Sequence, residues 1–347
     1  MANSFFKTLT SADRTQSRTL LHENIPITGT LLSGTYNTDS AGREVNVKVF
    51  SHGMFQSVYD YPYASSSANH ILDLAAGFST DASSVSSSAT AAAAQAPKKV
   101  NIYNQMAQVL VGYDTGSNVR TFDIDGNFAD TGTKHHDVIF VNFSRLLVKD
   151  EIKKGSFSIV LGTGSAYATP FSNTLTVSDT GAATSYLSNS PAGEYGLLKS
   201  GSTNVGLVYY QAGVAVLTGS VFGTGSNMTS TGTKIEGLLT GSSINATADA
   251  VRHRIQNISF NNTTELNSTI FFCRANHNEF NYSSNPTYLS GSKIVVKDNE
   301  PLNLPRSYVT TVGLYSPDNE LMAVAKVSEP LRKDPTNELT LRVRLDY

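Results

Sequence analysis

His135-His136-Asp137 sets two imidazoles beside a carboxylate, which are donor types a transition metal uses. The residues that follow, VIFVNF, read as a strand. If that strand extends back, adjacent histidines point to opposite faces and cannot share an ion. Asp123-Ile124-Asp125-Gly126-Asn127 resembles half of a calcium loop. Its glycine comes fourth rather than sixth, and no Glu stands at the twelfth position, so a polar turn is expected. LGTGS (161–165) and FGTGS (222–226) carry glycine spacing that invites a phosphate-loop reading. Neither has a third fingerprint glycine or a following Gly-Lys-Ser/Thr, and both stand between strands, so both are expected to be turns. Cys273, the lone cysteine, lies in the apolar stretch IFFCRA, where a thiol is a small inert hydrophobe and has no disulfide partner. The carboxylates are dispersed and no Gly-x-Ser-x-Gly elbow occurs. No catalytic, metal-binding or cofactor-binding residue is therefore assigned. The expectation is a protein that is not an enzyme and takes no cofactor.

The elements that would position these residues follow from hydrophobic period. Residues 1–25 read as an extended arm, with Phe5 and Phe6 in an unpatterned polar context that a partner surface would order. PITGTLLSG and EVNVKVFSHG read as strands, and HILDLAAGF as a helix closed by Gly77. Residues 79–97 are low complexity and read as an exposed loop, with one possible helical turn. KKVNIYNQMAQVLVGYD is the clearest helix, with Ile102, Met106, Val109, Leu110 and Tyr113 on one face. From residue 156 onward short alternating segments are separated by Gly/Ser/Thr/Asn turns, and 223–248 read as a second loop. SYVTTVGLY and LMAVAKV form a hairpin around Ser316-Pro317-Asp318-Asn319. In the final ELTLRVRLDY, Leu339, Leu341, Val343, Leu345 and Tyr347 alternate with polar residues as in a half-buried strand.

The fold class is thus mainly β with a minor α component. It comprises the arm (1–25), an N-terminal α+β region (26–155) and a C-terminal antiparallel β-sandwich (156–347), with a candidate split near 223–250. With 347 residues the chain can bury a sizeable core. Charged residues are only 16% and the net charge is -2, so no field favours nucleic acid. No apolar run is long enough for a membrane span, and the N-terminus lacks a signal-peptide core.

VYYQAGVAVLTG, then FFCRANHNEFNYSSNPTY, then the terminal YVTTVGLYSPDNELMAVAKVSEPLRKDPTNELTLRVRLDY occur in that order. This order, across about residues 205–347, resembles virion structural proteins of large contractile-tailed bacteriophages. The resemblance implies a virion subunit assembled in the host bacterial cytoplasm, a tail baseplate (wedge) component foremost. Its partners would be other phage virion proteins, with several copies per particle and with no nucleic acid, membrane or small-molecule substrate. A neck or head–tail connector component, or a peripheral receptor- or glycan-binding protein, is the alternative. The resemblance carries no catalytic motif. The interface candidates are the aromatics Phe5, Phe6, Tyr59, Tyr61, Tyr63, Phe280, Tyr282 and Tyr288.

The terminal pattern generates a test. Leu341→Asp or Val343→Asp places a charge on the apolar face and should lower stability by about 3 kcal/mol or more, read by urea unfolding. A variant that melts like the wild type would refute the strand.

Overall fold

The computed structural model describes residues 6–38, 40, 42–80, 96–129, 131–282, 289–290, 293–294 and 304–347. Strand accounts for 44% and helix for 17%, so the chain is mainly β with a minor α component. The strands are β1 (Arg14–Thr28), β2 (Val47–Val49), β3 (Gln56–Tyr59), β4 (His70–Phe78), β5 (Phe122–Asp123), β6 (Lys134–His135) and β7 (Asp137–Phe143). They continue with β8 (Glu151–Ile152), β9 (Ser158–Gly162), β10 (Thr174–Ser178), β11 (Leu187–Ser190), β12 (Gly193–Ser200), β13 (Thr203–Tyr209) and β14 (Val214–Thr218). The last are β15 (Ile255–Ala275), β16 (Leu289–Ser290), β17 (Lys293–Ile294), β18 (Ser307–Tyr315), β19 (Leu321–Lys333) and β20 (Leu339–Asp346). Three helices matter for packing: α1 (Ala96–Leu110), α2 (Ile235–Gly241) and α3 (Ile244–Arg252).

Two compact units result: residues 20–264, and residues 1–19 together with 265–347. The division expected after residue 155 is not observed. β7 pairs antiparallel with β14, from Asn142↔Val214 to Val138↔Thr218, so residues on both sides of that point share one sheet.

In the larger unit the strand order is β15-β9-β10-β12-β13-β14-β7-β4-β3-β2. Its central strands are buried on both faces. Along β7, Ile139, Val141 and Phe143 enter one core and Val138 and Phe140 the other. In β14, Ala215 and Leu217 alternate in the same way with Val214 and Val216. Double burial explains why these strands read as continuous apolar runs rather than alternating ones. The sheet also folds over the first core. Phe143 of β7 lies 5.0 Å from the Phe260 ring of β15 and 5.8 Å from Phe157, just before β9.

α1 covers the second core with Ile102, Tyr103, Ala107 and Leu110. The expected helix is therefore present, but its buried face is rotated: Val109 and Tyr113 are exposed. HILDLAAGF is strand β4, not the expected helix. Its apolar run serves two faces, and Gly77 is where α1 approaches. A Cβ there would lie 2.9 Å from the Lys99 carbonyl oxygen and 3.0 Å from the Tyr103 amide nitrogen. Residues 223–248 are likewise not a simple loop. Ile235, Leu238 and Leu239 bury one side of α2, and Ser243 caps α3 by accepting the Ala246 amide. The residues 81–95, most of the expected low-complexity loop, lie outside the described residues.

In the smaller unit β20 pairs antiparallel with β15, from Ser268↔Asp346 to Ala275↔Leu339. Leu341 faces Cys273, and Val343 faces Phe271, in agreement with the expected alternation. Tyr347, expected on that face, is exposed. β18 and β19 form the expected hairpin. Asn319 closes its turn at a φ of 63°, a left-handed conformation that Asn tolerates.

Lys99 couples α1 to α2. Its buried ammonium donates to the carbonyls of Leu238 (2.8 Å) and Leu239. Burial pushes its pKa down to about 8. The folded value lies below the unfolded one, so between about pH 8 and 10.5 the unfolded chain holds a proton that the folded chain has lost. Stability should therefore rise with pH through this window. Urea unfolding across it should show that rise in the wild type relative to Lys99→Met; parallel curves would contradict it.

Candidate interaction surface

The former chemical candidates are structural. Asp123 of β5 accepts from Lys134 of β6 at 2.9 Å, and both are largely buried. Asp125 accepts from the Asn127 backbone at 3.1 Å and side chain at 2.7 Å, which makes the polar turn. His135 is buried, and burial holds its pKa down at about 4, so its imidazole is neutral. His136 instead meets Ser79 Oγ at 2.7 Å. Among the described residues no three His, Cys, Asp or Glu gather around one point. Cys273 is half-buried, and burial pushes its thiol up.

The two Gly-Thr-Gly-Ser stretches are fastened to each other. Ser226 Oγ donates to the Thr163 carbonyl at 3.0 Å, and the Asn227 amide to the Ser165 carbonyl at 2.9 Å. Arg254, fully buried, donates to the carbonyls of Gly162, Gly164 and Asn227 at 2.7–3.0 Å. The glycines thus bring carbonyls to a guanidinium, and no helix N-terminus faces a phosphate there.

Ser57, Asp73 and His70 meet in the larger unit, but not as a nucleophile relay. Ser57 Oγ donates to Asp73 Oδ1 at 2.5 Å, and the same oxygen holds His70 Nε2 at 2.8 Å. The acid stands in the middle, whereas a relay needs the imidazole there. Ser57 is also buried. The hydrogen bond that His70 donates to Asp73 raises the His70 pKa.

His70 borders an aromatic patch. Tyr59 lies 5.6 Å from the His70 ring and 6.4 Å from Tyr63, while Tyr61 packs edge-on against Tyr36 at 6.0 Å. Tyr61 and Tyr63 are exposed; Tyr59 is half-buried. Of the three tyrosines expected at an interface, the structure pairs Tyr59 with Tyr63, while Tyr61 pairs with Tyr36, which had no sequence signal beyond being aromatic.

The smaller unit holds the other candidates. Phe6 packs edge-on against Tyr315 at 4.8 Å. Lys7 donates to Glu279 at 2.6 Å, which lowers the Glu279 pKa, and Asp13 lies 3.6 Å from Arg274. β1 then continues next to β15 in the sheet order. Residues 6–28 are accordingly ordered by their own chain, contrary to the expected partner-ordered arm. Sheet pairing and these anchors supply the partner that composition could not reveal. The loop at 276–281 is held from within. Lys333 donates to Asn281 Oδ1 at 2.6 Å and to the His277 carbonyl at 3.3 Å, and Ser307 Oγ donates to the Phe280 carbonyl. This leaves the rings of Phe280 and Tyr282 exposed. Phe5 and Tyr288 lie outside the described residues.

Sequence reasoning missed the exposed apolar residues of the hairpin. Tyr308, Tyr315, Leu321, Met322 and Val324 of the hairpin are all exposed, Met322 at 70% and Tyr308 at 60%. Among the described residues of this unit, Val343 is the one apolar side chain that is buried. The available signal was that neither SYVTTVGLY nor LMAV has a charged face. No protein-family model, curated protein or solved structure matches the chain.

The aromatic anchor at Phe6 can be checked alone. An edge-to-face pair contributes about 0.5–1.5 kcal/mol, and an exposed ion pair such as Lys7–Glu279 about 0–1 kcal/mol. Phe6→Ala should therefore accelerate tryptic cleavage at Lys7 and Arg14 more than Glu279→Gln does. Equal cleavage in wild type and Phe6→Ala would show that the ring contact does not hold the segment.

Proposed function

We propose that this chain is a non-enzymatic structural subunit of a bacteriophage virion, foremost a tail baseplate (wedge) component, that works through protein–protein contacts. The observation that carries the reading is the composition of the smaller unit. It exposes aromatic and aliphatic side chains along a hairpin and, among the described residues, buries one apolar side chain. A β unit of this size normally secures itself by an apolar core, and contiguous apolar surface marks a contact site. The unit also coincides with much of the segment, about 205–347, whose order of motifs resembles virion structural proteins of contractile-tailed bacteriophages. The larger unit is secured differently: two cores lie on opposite faces of one sheet, and buried Lys99 and Arg254 are tied to backbone carbonyls. Neighbouring virion proteins would cover the exposed stripe, in interfaces of about 1,000 Å² or more.

Genetic removal tests this. Phage lacking the protein should accumulate particles stalled in tail or neck assembly, seen by electron microscopy. Complete, contractile particles that fail to adsorb would instead identify a peripheral receptor-binding protein. Complete infectious particles would remove the structural role altogether.

A further inference from the structure

Among the described residues, the outer edge of β18 is open and unguarded. β18 and β19 form a two-stranded sheet, so among the described residues each pairs only with the other. An open edge is ordinarily protected by charge or proline. β19 carries Lys326, Glu329, Pro330, Arg332 and Lys333. β18, Ser-Tyr-Val-Thr-Thr-Val-Gly-Leu-Tyr, has neither charge nor proline in nine residues.

That sequence is also self-complementary. Run antiparallel to itself about the centre between Thr310 and Thr311, it sets Val309 opposite Val312, Tyr308 opposite Gly313 and Ser307 opposite Leu314. In a regular strand such a pairing is forbidden. Directly opposed residues must share a face, whereas residues 309 and 312 would point to opposite faces. β18 removes this obstacle. Its register on β19 jumps from Val309↔Leu331 to Thr311↔Lys326, and Thr310 and Thr311 are both exposed. Across this irregularity Val309, Val312 and Leu314 share one face with Leu331, Ala325 and Ala323. Tyr308 and Gly313 share the other, with Val324.

We propose that β18 is a homodimerisation edge: two copies of this chain pair antiparallel through it, forming a four-stranded sheet in the order β19-β18-β18-β19. A two-stranded hairpin is marginal in water, and three or more strands give it a stable apolar face. In the dimer Val309, Val312 and Leu314 of both copies form one continuous layer. Tyr308 of each copy covers Gly313 of the other, beside the Tyr315 ring that already leans over that glycine at 2.9 Å from its Cβ position. An aromatic residue opposite an edge glycine is a known stabilising pairing. The arrangement is two-fold and closes, since both β18 edges are used and the outer β19 edges are guarded. This inference does not rest on the virion reading, because it concerns the free protein.

Sedimentation of the purified full chain at micromolar concentration tests it. The wild type should be a dimer. T310K/T311K sets like charges opposite each other at the centre and should raise the dimer dissociation constant about tenfold or more. T310K/T311E changes the same exposed positions but sets each Lys opposite a Glu of the second copy, and should remain dimeric. V309C/V312C in a Cys273→Ser background should form a covalent dimer on oxidation, which reads the register independently of the lysine variant's folding. A monomeric wild type, a dimer indifferent to T310K/T311K, or a dimer that does not cross-link would each overturn the proposal. A monomer that instead captures another virion protein through β18 would overturn it too, while leaving the structural role intact.

Discussion

The architecture of the larger unit depends on burying its central strands from both sides. β4, β7, β13 and β14 send successive side chains into two separate cores. Apolar burial stabilises by about 25 cal/mol for each Å² removed from water, so a strand covered twice contributes on every residue. The requirement propagates outward. One face needs α1 at close range, which the missing side chain of Gly77 permits. The other needs the sheet to fold over so that Phe143 meets Phe157 and Phe260.

Ionisable groups caught inside this packing are satisfied mostly by the backbone. Arg254 is held by three carbonyls and Lys99 by two. Asp179 accepts the amides of Gly155 and Phe157 and the Tyr210 hydroxyl, although burial still raises its pKa. A buried charge without partners is among the costliest defects a fold can carry. These contacts join segments distant in sequence within the larger unit.

The smaller unit follows the opposite principle. Its order comes from main-chain pairing and polar ties, among them Lys333 with Asn281 and Lys7 with Glu279. Its apolar side chains remain largely at the surface. A unit of this kind gains by association, because each exposed Tyr, Leu or Met it buries in a contact adds stabilisation that its own chain does not provide. The unspent apolar surface of this unit is the physical basis of the proposal that the chain is an assembly component.

What the sequence determined by itself was what repeats locally. The period-two pattern of Leu339 to Leu345 specified a half-buried strand, and Pro317 with Asn319 specified the hairpin turn. Gly-Thr-Gly-Ser spacing without a following helix signal was enough to read both stretches as turns. Tyr61 and Tyr63, named from their aromatic clustering, are exposed, whereas Tyr59 is half-buried. What only the tertiary structure decided depends on partners far along the chain. HILDLAAGF has no period of its own because both its faces are buried, so a helix and a central strand look alike until β7 and α1 are in place. The N-terminal segment has no pattern because its order comes from Tyr315, Glu279 and β15. The exposed hairpin face was hidden for the same reason. Apolar residues predict burial, and only the arrangement of the other strands shows that, among the described residues, Phe6 against Tyr315 is the one ring contact this face receives and its side chains stay exposed.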